Sequence, residues 1–208
     1  MTTSVRATAL AVVVAVVFLA SGGLFTPNPA VAAGTPSSGG IVYLFRGGLN
    51  IFSTGVDVLA KKLRARGIEA TAYGNADWQA VTEKAKARYA KTHQQIVLIG
   101  HSFGANAAVL MAAELNKSKT PVALIILYDT VSSMKVSANV RRVIDFVSID
   151  GEQIGITVTG EFGFTGHIER IDAKEGHLAI DKDPHNHDIS IAAILRVIRG
   201  GAPLANAN

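Results

Sequence analysis

Among the runs of the chain that are apolar without a break are three short ones, Ile41–Phe45, Ile96–Ile99 and Val122–Tyr128, and a fourth, Val143–Ile149, is nearly so. A strand with one wet face alternates polar and apolar residues, whereas an unbroken apolar run has no face left for water. These runs are too short for buried helices and rich in β-branched residues, so they predict strands covered on both sides. Helical patterns fill the gaps between them. Val56, Leu59, Ala60 and Leu63 recur at helical spacing between a cap at Ser53 or Thr54 and a stop at Gly67. Trp78 to about Lys91 follows a cap at Asn75 or Asp77, Ala105–Leu115 is rich in helix formers, and Ile189–Ile198 carries Ile191, Ile194, Leu195 and Ile198 on one face. With weaker strands at Ile68–Tyr73 and His167–Ile171, the alternation predicts an α/β domain. Its sheet is mostly parallel, of about six strands, with helices on both faces. Gln153–Gly166 alternates polar and apolar residues and holds four glycines, which predicts a β-hairpin.

The rest of the composition narrows the function. A chain of 208 residues that is 49% hydrophobic and 17% charged holds one domain with a real core. It has no cysteine, so disulfides, thiolate nucleophiles and Cys-based zinc sites are excluded. A net charge of +4, with no basic run carrying interleaved aromatics, gives no footprint for nucleic acid. Residues 1–33 read separately. Arg6, the apolar segment Ala9–Ala20 and the small-residue stretch ending Ala30-Val31-Ala32-Ala33 predict a cleaved secretory signal. The apolar segment is short for a membrane span, which takes about 20 residues. The expected mature domain is therefore 34–208, exported to the periplasm or the medium. An uncleaved membrane tether is the alternative.

One strand runs directly into chemistry. In "IVLIGHSFGANAAVLMAAEL", Ile96–Leu115, Ser102 lies between Gly100 and Gly104 where the strand gives way to the helix. Gly-x-Ser-x-Gly is short enough to occur by chance, so its strand–turn–helix setting is what gives it meaning. Such a turn lifts the hydroxyl above the sheet on a strained backbone, and the glycines let strand and helix approach around the kink. The helix N-terminus also favours negative charge, and the Phe103 N–H is a ready donor to an oxyanion. As a plain helix cap, Ser102 would not need both glycines. A second oxyanion donor is expected after an earlier strand, where "YLFRGGLN" offers Gly48 or Leu49.

At this point the chain resembles the α/β-hydrolase superfamily. The likeness rests on the Gly-His-Ser-Phe-Gly turn, on Arg46-Gly47-Gly48 after the first strand, and on a downstream acid followed by a histidine. It spans essentially the whole mature chain and implies a Ser-His-Asp triad; little chain is left to build a lid, with Val131–Asn139 and Gln153–Gly166 the sizeable insertions. Two aspartates compete for the acid. Most of the superfamily places it after the later strand, which points to Asp150 in "FVSIDG". The thioesterase domains of polyketide and peptide synthetases are similar to this chain at "LYDT", which points to Asp129 and is the preferred assignment. Asp150 can instead open a turn with Gly151.

Six histidines are available as base. His93 precedes the central strand at its wrong end, His101 is the variable residue of the turn, and His167 starts a strand. His177, in "KEGHLAID" between the last strand and the last helix, sits where the bases of similar hydrolases lie. His185 and His187, in "DPHNHD", stand nearer the helix start, as caps or as anchors for a neighbouring loop. Two histidines one residue apart cannot share a helix face, and with no third ligand beside them no metal is expected. The expectation is a serine hydrolase acting on a small or lipid-like acyl ester or thioester without a cofactor. Its catalytic residues are Ser102, His177 and Asp129, and its oxyanion donors are Phe103 and Gly48. A non-catalytic binding or assembly protein that kept the fold is the rival reading.

Overall fold

In the structure, a computed structural model, residues 39–48, 53–152 and 155–200 are described. In chain order they form β1 (Gly40–Phe45), α1 (Thr54–Arg64), β2 (Glu69–Tyr73), α2 (Trp78–Thr92), β3 (Gln95–His101), α3 (Phe103–Lys117) and β4 (Leu124–Tyr128). There follow β5 (Met134–Val136), β6 (Arg142–Val147), α4 (Ile149–Glu152), β7 (Val158–Gly160), β8 (His167–Asp172) and α5 (Pro184–Arg199). The predicted secretory segment 1–33 lies outside the described residues. Among the described residues, no helix is long and apolar enough to cross a membrane.

Six strands join one sheet in the order β2-β1-β3-β4-β6-β8, and every pairing in it is parallel. The unbroken apolar runs are explained by its two covered faces. Tyr43, Phe45, Leu98, Leu127 and Val143 point to one side and pack with Val81 and Ala85 of α2 and Ala105, Ala108 and Leu115 of α3. Val42, Leu44, Val97, Ile99, Ile126 and Phe146 point to the other and pack with Val56, Leu59 and Leu63 of α1 and Ile191, Ile194 and Ile198 of α5. Because successive strand residues face opposite ways, a sheet wrapped like this must be apolar at both parities.

Several boundaries differ from the sequence reading. No hairpin forms among the described residues of 153–166. Instead β7 pairs in parallel with β5, so the two long excursions from the main sheet close on each other as a second, two-stranded sheet. The alternation was real, but the partner strand lay elsewhere in the chain. β6 stops at Val147 because Ser148 turns toward Asp129 and Ile149 opens α4. Val122 makes only an isolated bridge to Val140 ahead of β4. The last helix begins at Pro184, earlier than its apolar stripe, because Asp183 accepts the Asn186 N–H at 2.8 Å and proline occupies the first turn. That turn buries the polar Asn186 and His187, which hydropathy does not register.

The strand order also locates a crevice. From β1 the chain moves outward to β2, then returns to lay β3 on the other side of β1, so the loops after β1 and β3 leave in opposite directions. In open α/β sheets, ligands bind outside the carboxyl ends of strands at such a reversal. Gly104 makes the helix–strand approach there possible: a Cβ on it would overlap the carbonyl oxygen of Phe45, which is backbone and cannot swing aside. Gly104→Ala is therefore expected to destabilise the domain by about 1–3 kcal/mol. Urea denaturation checks this, and an unchanged midpoint would contradict the packing described.

Candidate active site

Ser102 leaves β3 with φ 58° and ψ −125°, a left-handed conformation that is costly for any residue with a Cβ. Two features hold it there. A Cβ on Gly100 would overlap the Gly104 carbonyl, so the kink closes only around glycine. The Ser102 N–H also donates to the Tyr128 carbonyl at 2.9 Å, which extends the β3–β4 ladder past the strand end. Asp129 repeats this one strand over. Its φ is 54°, and its N–H donates to the Phe146 carbonyl at 2.8 Å. Tyr128, between them, is fully buried, stacks on Phe146 and bonds the Ser190 hydroxyl of α5 at 2.6 Å.

The loop between β8 and α5 brings His177 to both. Its Nδ1 lies 2.5 Å from Asp129 Oδ2 and its Nε2 lies 3.0 Å from Ser102 Oγ. A carboxylate only accepts, so Nδ1 carries the proton and Nε2 is left to accept from the serine hydroxyl. Asp150 has a different place: its Oδ2 accepts the backbone N–H of His177 at 3.1 Å, fixing the loop and not the ring. The aspartate that meets the imidazole is Asp129.

Electrostatics follow from these contacts. Burial would raise the Asp129 carboxyl. The hydrogen bond from His177 and two from Ser148 (N–H at 3.0 Å, hydroxyl at 2.7 Å) outweigh it and hold the group below its ordinary range. The bond to Asp129 raises the His177 imidazole above its ordinary value, against a smaller opposing effect of burial. Ser148 had not been singled out in the sequence. Its only cue was a lone hydroxyl at the end of an apolar strand.

The Phe103 N–H heads α3 and has no partner among the described residues. Gly47 and Gly48 lie against the turn: a Cβ on Gly47 would come 3.1 Å from the Ser102 Cβ, and one on Gly48 would come 3.2 Å from the Phe103 ring. The Gly47 N–H is already taken by Ser53 Oγ at 2.7 Å. Gly48 is thus beside Phe103, the residue after Ser102, while Leu49, its alternative, lies outside the described residues.

Among the described residues, none of the other histidines hydrogen-bonds Ser102 Oγ. His93 ends α2, His167 starts β8, and His185 lies in the first turn of α5. His187 is buried and anchors a loop, its Nε2 donating to the Asp181 carbonyl at 2.7 Å. His101 is also buried, and bonds Ser53 Oγ at 2.7 Å and the His177 carbonyl at 2.8 Å. Among the described residues, no group of three His, Cys, Asp or Glu is arranged to hold a metal ion.

The parallel sheet covered on both faces, with a strand–serine turn–helix unit at its centre, is the α/β-hydrolase fold. Among solved structures the chain is similar to RedJ, captured with a polyethylene glycol molecule in that protein's active site. The TM-score is 0.51 at 10% identity, over 78% of this chain and 93% of that one. A second structure, the RedJ thioesterase of the prodiginine pathway in Streptomyces coelicolor, gives a TM-score of 0.49 at 11% identity, over 88% and 96% of the two chains. The NocB thioesterase domain from the nocardicin cluster gives 0.46 at 13%, over 78% and 95%. At 10% identity the likeness to the first of these is one of fold. No family model and no curated protein matches the sequence.

The His177–Asp129 bond has a measurable consequence. The His177 imidazole is expected to titrate above the ordinary value of about 6.5, because the protonated ring is the form that Asp129 favours. Asp129→Asn removes the charge and should lower the midpoint. Imidazole NMR titration reads both, and a midpoint that Asp129→Asn leaves in place would contradict the pairing.

Proposed function

We propose that the chain is an exported serine hydrolase that cleaves an ester or thioester through an acyl-enzyme on Ser102. The observation that carries this reading is the unbroken line from Asp129 Oδ2 through the His177 ring to Ser102 Oγ, with distances of 2.5 and 3.0 Å. Ser102 Oγ attacks the substrate carbonyl while its proton passes to His177 Nε2. Asp129 keeps the ring in the right tautomer and stabilises the imidazolium. The carbonyl oxygen, now negative, faces the N–H groups of Phe103 and Gly48. Collapse expels the alcohol or thiol, which takes the proton from His177. A water molecule then gives a proton to the same nitrogen, and its oxygen attacks the acyl carbon. The carboxylic acid departs as the proton returns to Ser102. Neither metal nor redox cofactor takes part in this sequence.

The surroundings favour an apolar acyl group. Phe103, Ile149 and Leu178 are 57%, 53% and 58% exposed, and each directly follows a residue of the site: Ser102, Ser148 and His177. Large apolar side chains left exposed beside a site suit an apolar ligand. Export rests on residues 1–33, and amino-terminal sequencing of the secreted protein tests it: a start near Ala33 is expected, and an intact Met1 would refute cleavage.

A fluorophosphonate probe and p-nitrophenyl esters of graded acyl length test the chemistry. The folded protein is expected to be labelled at Ser102, and Ser102→Ala to lose at least about 10³-fold in kcat. Asp129→Asn should lose about 10⁴-fold, whereas Asp150→Asn, which touches only a backbone N–H, should lose less than about 10-fold. Absence of labelling would point instead to a binding or assembly protein on the same fold.

A further inference from the structure

Behind the nucleophile lies a second buried polar chain that the hydrolytic steps do not use. The Gly47 N–H donates to Ser53 Oγ at 2.7 Å, Ser53 Oγ meets His101 Nδ1 at 2.7 Å, and His101 Nε2 meets the His177 carbonyl at 2.8 Å. Ser53 and His101 are each 1% exposed. With the His101 ring neutral, only one arrangement of protons satisfies every contact. A carbonyl cannot donate, so His101 Nε2 carries a proton and gives it to the His177 oxygen. Nδ1 of the neutral ring is then an acceptor, and takes the Ser53 hydroxyl proton. That leaves the serine oxygen free to accept from Gly47. The chain runs one way, from the loop that carries Gly48 to the loop that carries His177.

The neutral state of His101 is maintained by its setting. Burial is the largest influence and lowers its pKa to about 4. Asp181 Oδ2 lies 3.8 Å from Nδ1 and favours the charged ring, but burial raises that carboxyl to about 6 and so weakens its pull. This carboxylate sits against the first turn of α1, where a Cβ on Gly55 would come 2.8 Å from Oδ2. Ser53 occupies the N-cap position of α1, yet its hydroxyl makes no cap bond, being spent on Gly47 and His101. A buried serine that forgoes capping to join two loops has a role beyond its own helix.

We propose that His101 and Ser53 are positioning residues for the hydrolysis assigned above. Their hydrogen bonds tie the Gly47–Gly48 loop to the backbone of His177, so that the oxyanion donor and the base keep one spacing about Ser102. This rests on that assignment. Neither side chain touches the reacting atoms: both act through the loops they join. A shift of about 1 Å in such loops can cost about 10²-fold in rate.

Two cuts test the tie. Ser53→Ala removes the link to Gly47. His101→Gln keeps a donor where Nε2 stood and so retains the His177 carbonyl, but loses Ser53. Each is expected to lower kcat on a p-nitrophenyl ester by about 10- to 100-fold with KM changed less than about 3-fold. The His177 titration midpoint should stay in place, since its bond to Asp129 is untouched. The double variant should fall no further than the worse single one, because one chain is cut twice. The proposal is overturned by a Ser53→Ala enzyme within about 2-fold of wild-type kcat, by losses that multiply in the double variant, or by a loss that merely tracks the unfolded fraction measured by circular dichroism. If wild-type protein is not labelled by fluorophosphonate at Ser102, the hydrolase reading fails first. Normal labelling with unaffected variants sinks this inference alone.

Discussion

The hydrogen bonds that continue past the ends of β3 and β4 are the constraint on which the site depends. Ser102 N–H to Tyr128 and Asp129 N–H to Phe146 prolong the parallel ladder by one rung each, at 2.9 and 2.8 Å. Each pins a residue whose backbone has already turned to positive φ. The sheet thus sets the separation of hydroxyl and carboxylate before any side chain is considered, and His177 has one gap to fill. Strain of this kind persists only where the surroundings over-determine it. Here glycines at 100 and 104 and the buried Tyr128 stack supply the determination.

Around that frame the polar groups are arranged in layers. Asp129 would be a poor carboxylate in its buried position without Ser148 and His177, whose donations together overcome desolvation. His177 is held from three sides: Asp129 at its ring, Asp150 at its N–H, and His101 at its carbonyl. The loop that carries it is further anchored by Asn186 and His187 of α5, which bond the carbonyls of Ile180 and Asp181 at 3.1 and 2.7 Å. A side chain on a loop can be as well placed as one on a strand when its backbone is bonded this thoroughly.

Most of the fold was legible because burial on both faces leaves an unmistakable hydrophobic record. β1, β3 and β4, and the helices that cover them, are written in runs such as IVYLF, IVLI and LIILY. Ser102, Asp129 and His177 were singled out by motif, chain order and position, and the structure brings these three side chains within hydrogen-bonding reach. What stayed hidden was polar and long-range. Nothing local tells that Asp150 bonds a backbone N–H, that Ser148 braces a carboxylate, or that Ser53 forgoes its own helix to reach His101. The parallel pairing of β5 with β7 was hidden for the same reason, since alternation reveals a half-exposed strand but not its partner. The early start of α5 escaped because its first turn buries Asn186 and His187, and not aliphatic side chains.

The central claim is that hydroxyl, imidazole and carboxylate converge at the carboxyl edge of one sheet, with an oxyanion site beside them. A crystal structure of the protein after reaction with an alkyl phosphonate reads this directly. The account predicts phosphorus bonded to Ser102 Oγ, with its free oxygen about 2.7–3.1 Å from the Phe103 nitrogen and His177 still between Ser102 and Asp129. A phosphonate bonded elsewhere, or a His177 ring turned away from both partners, would contradict it.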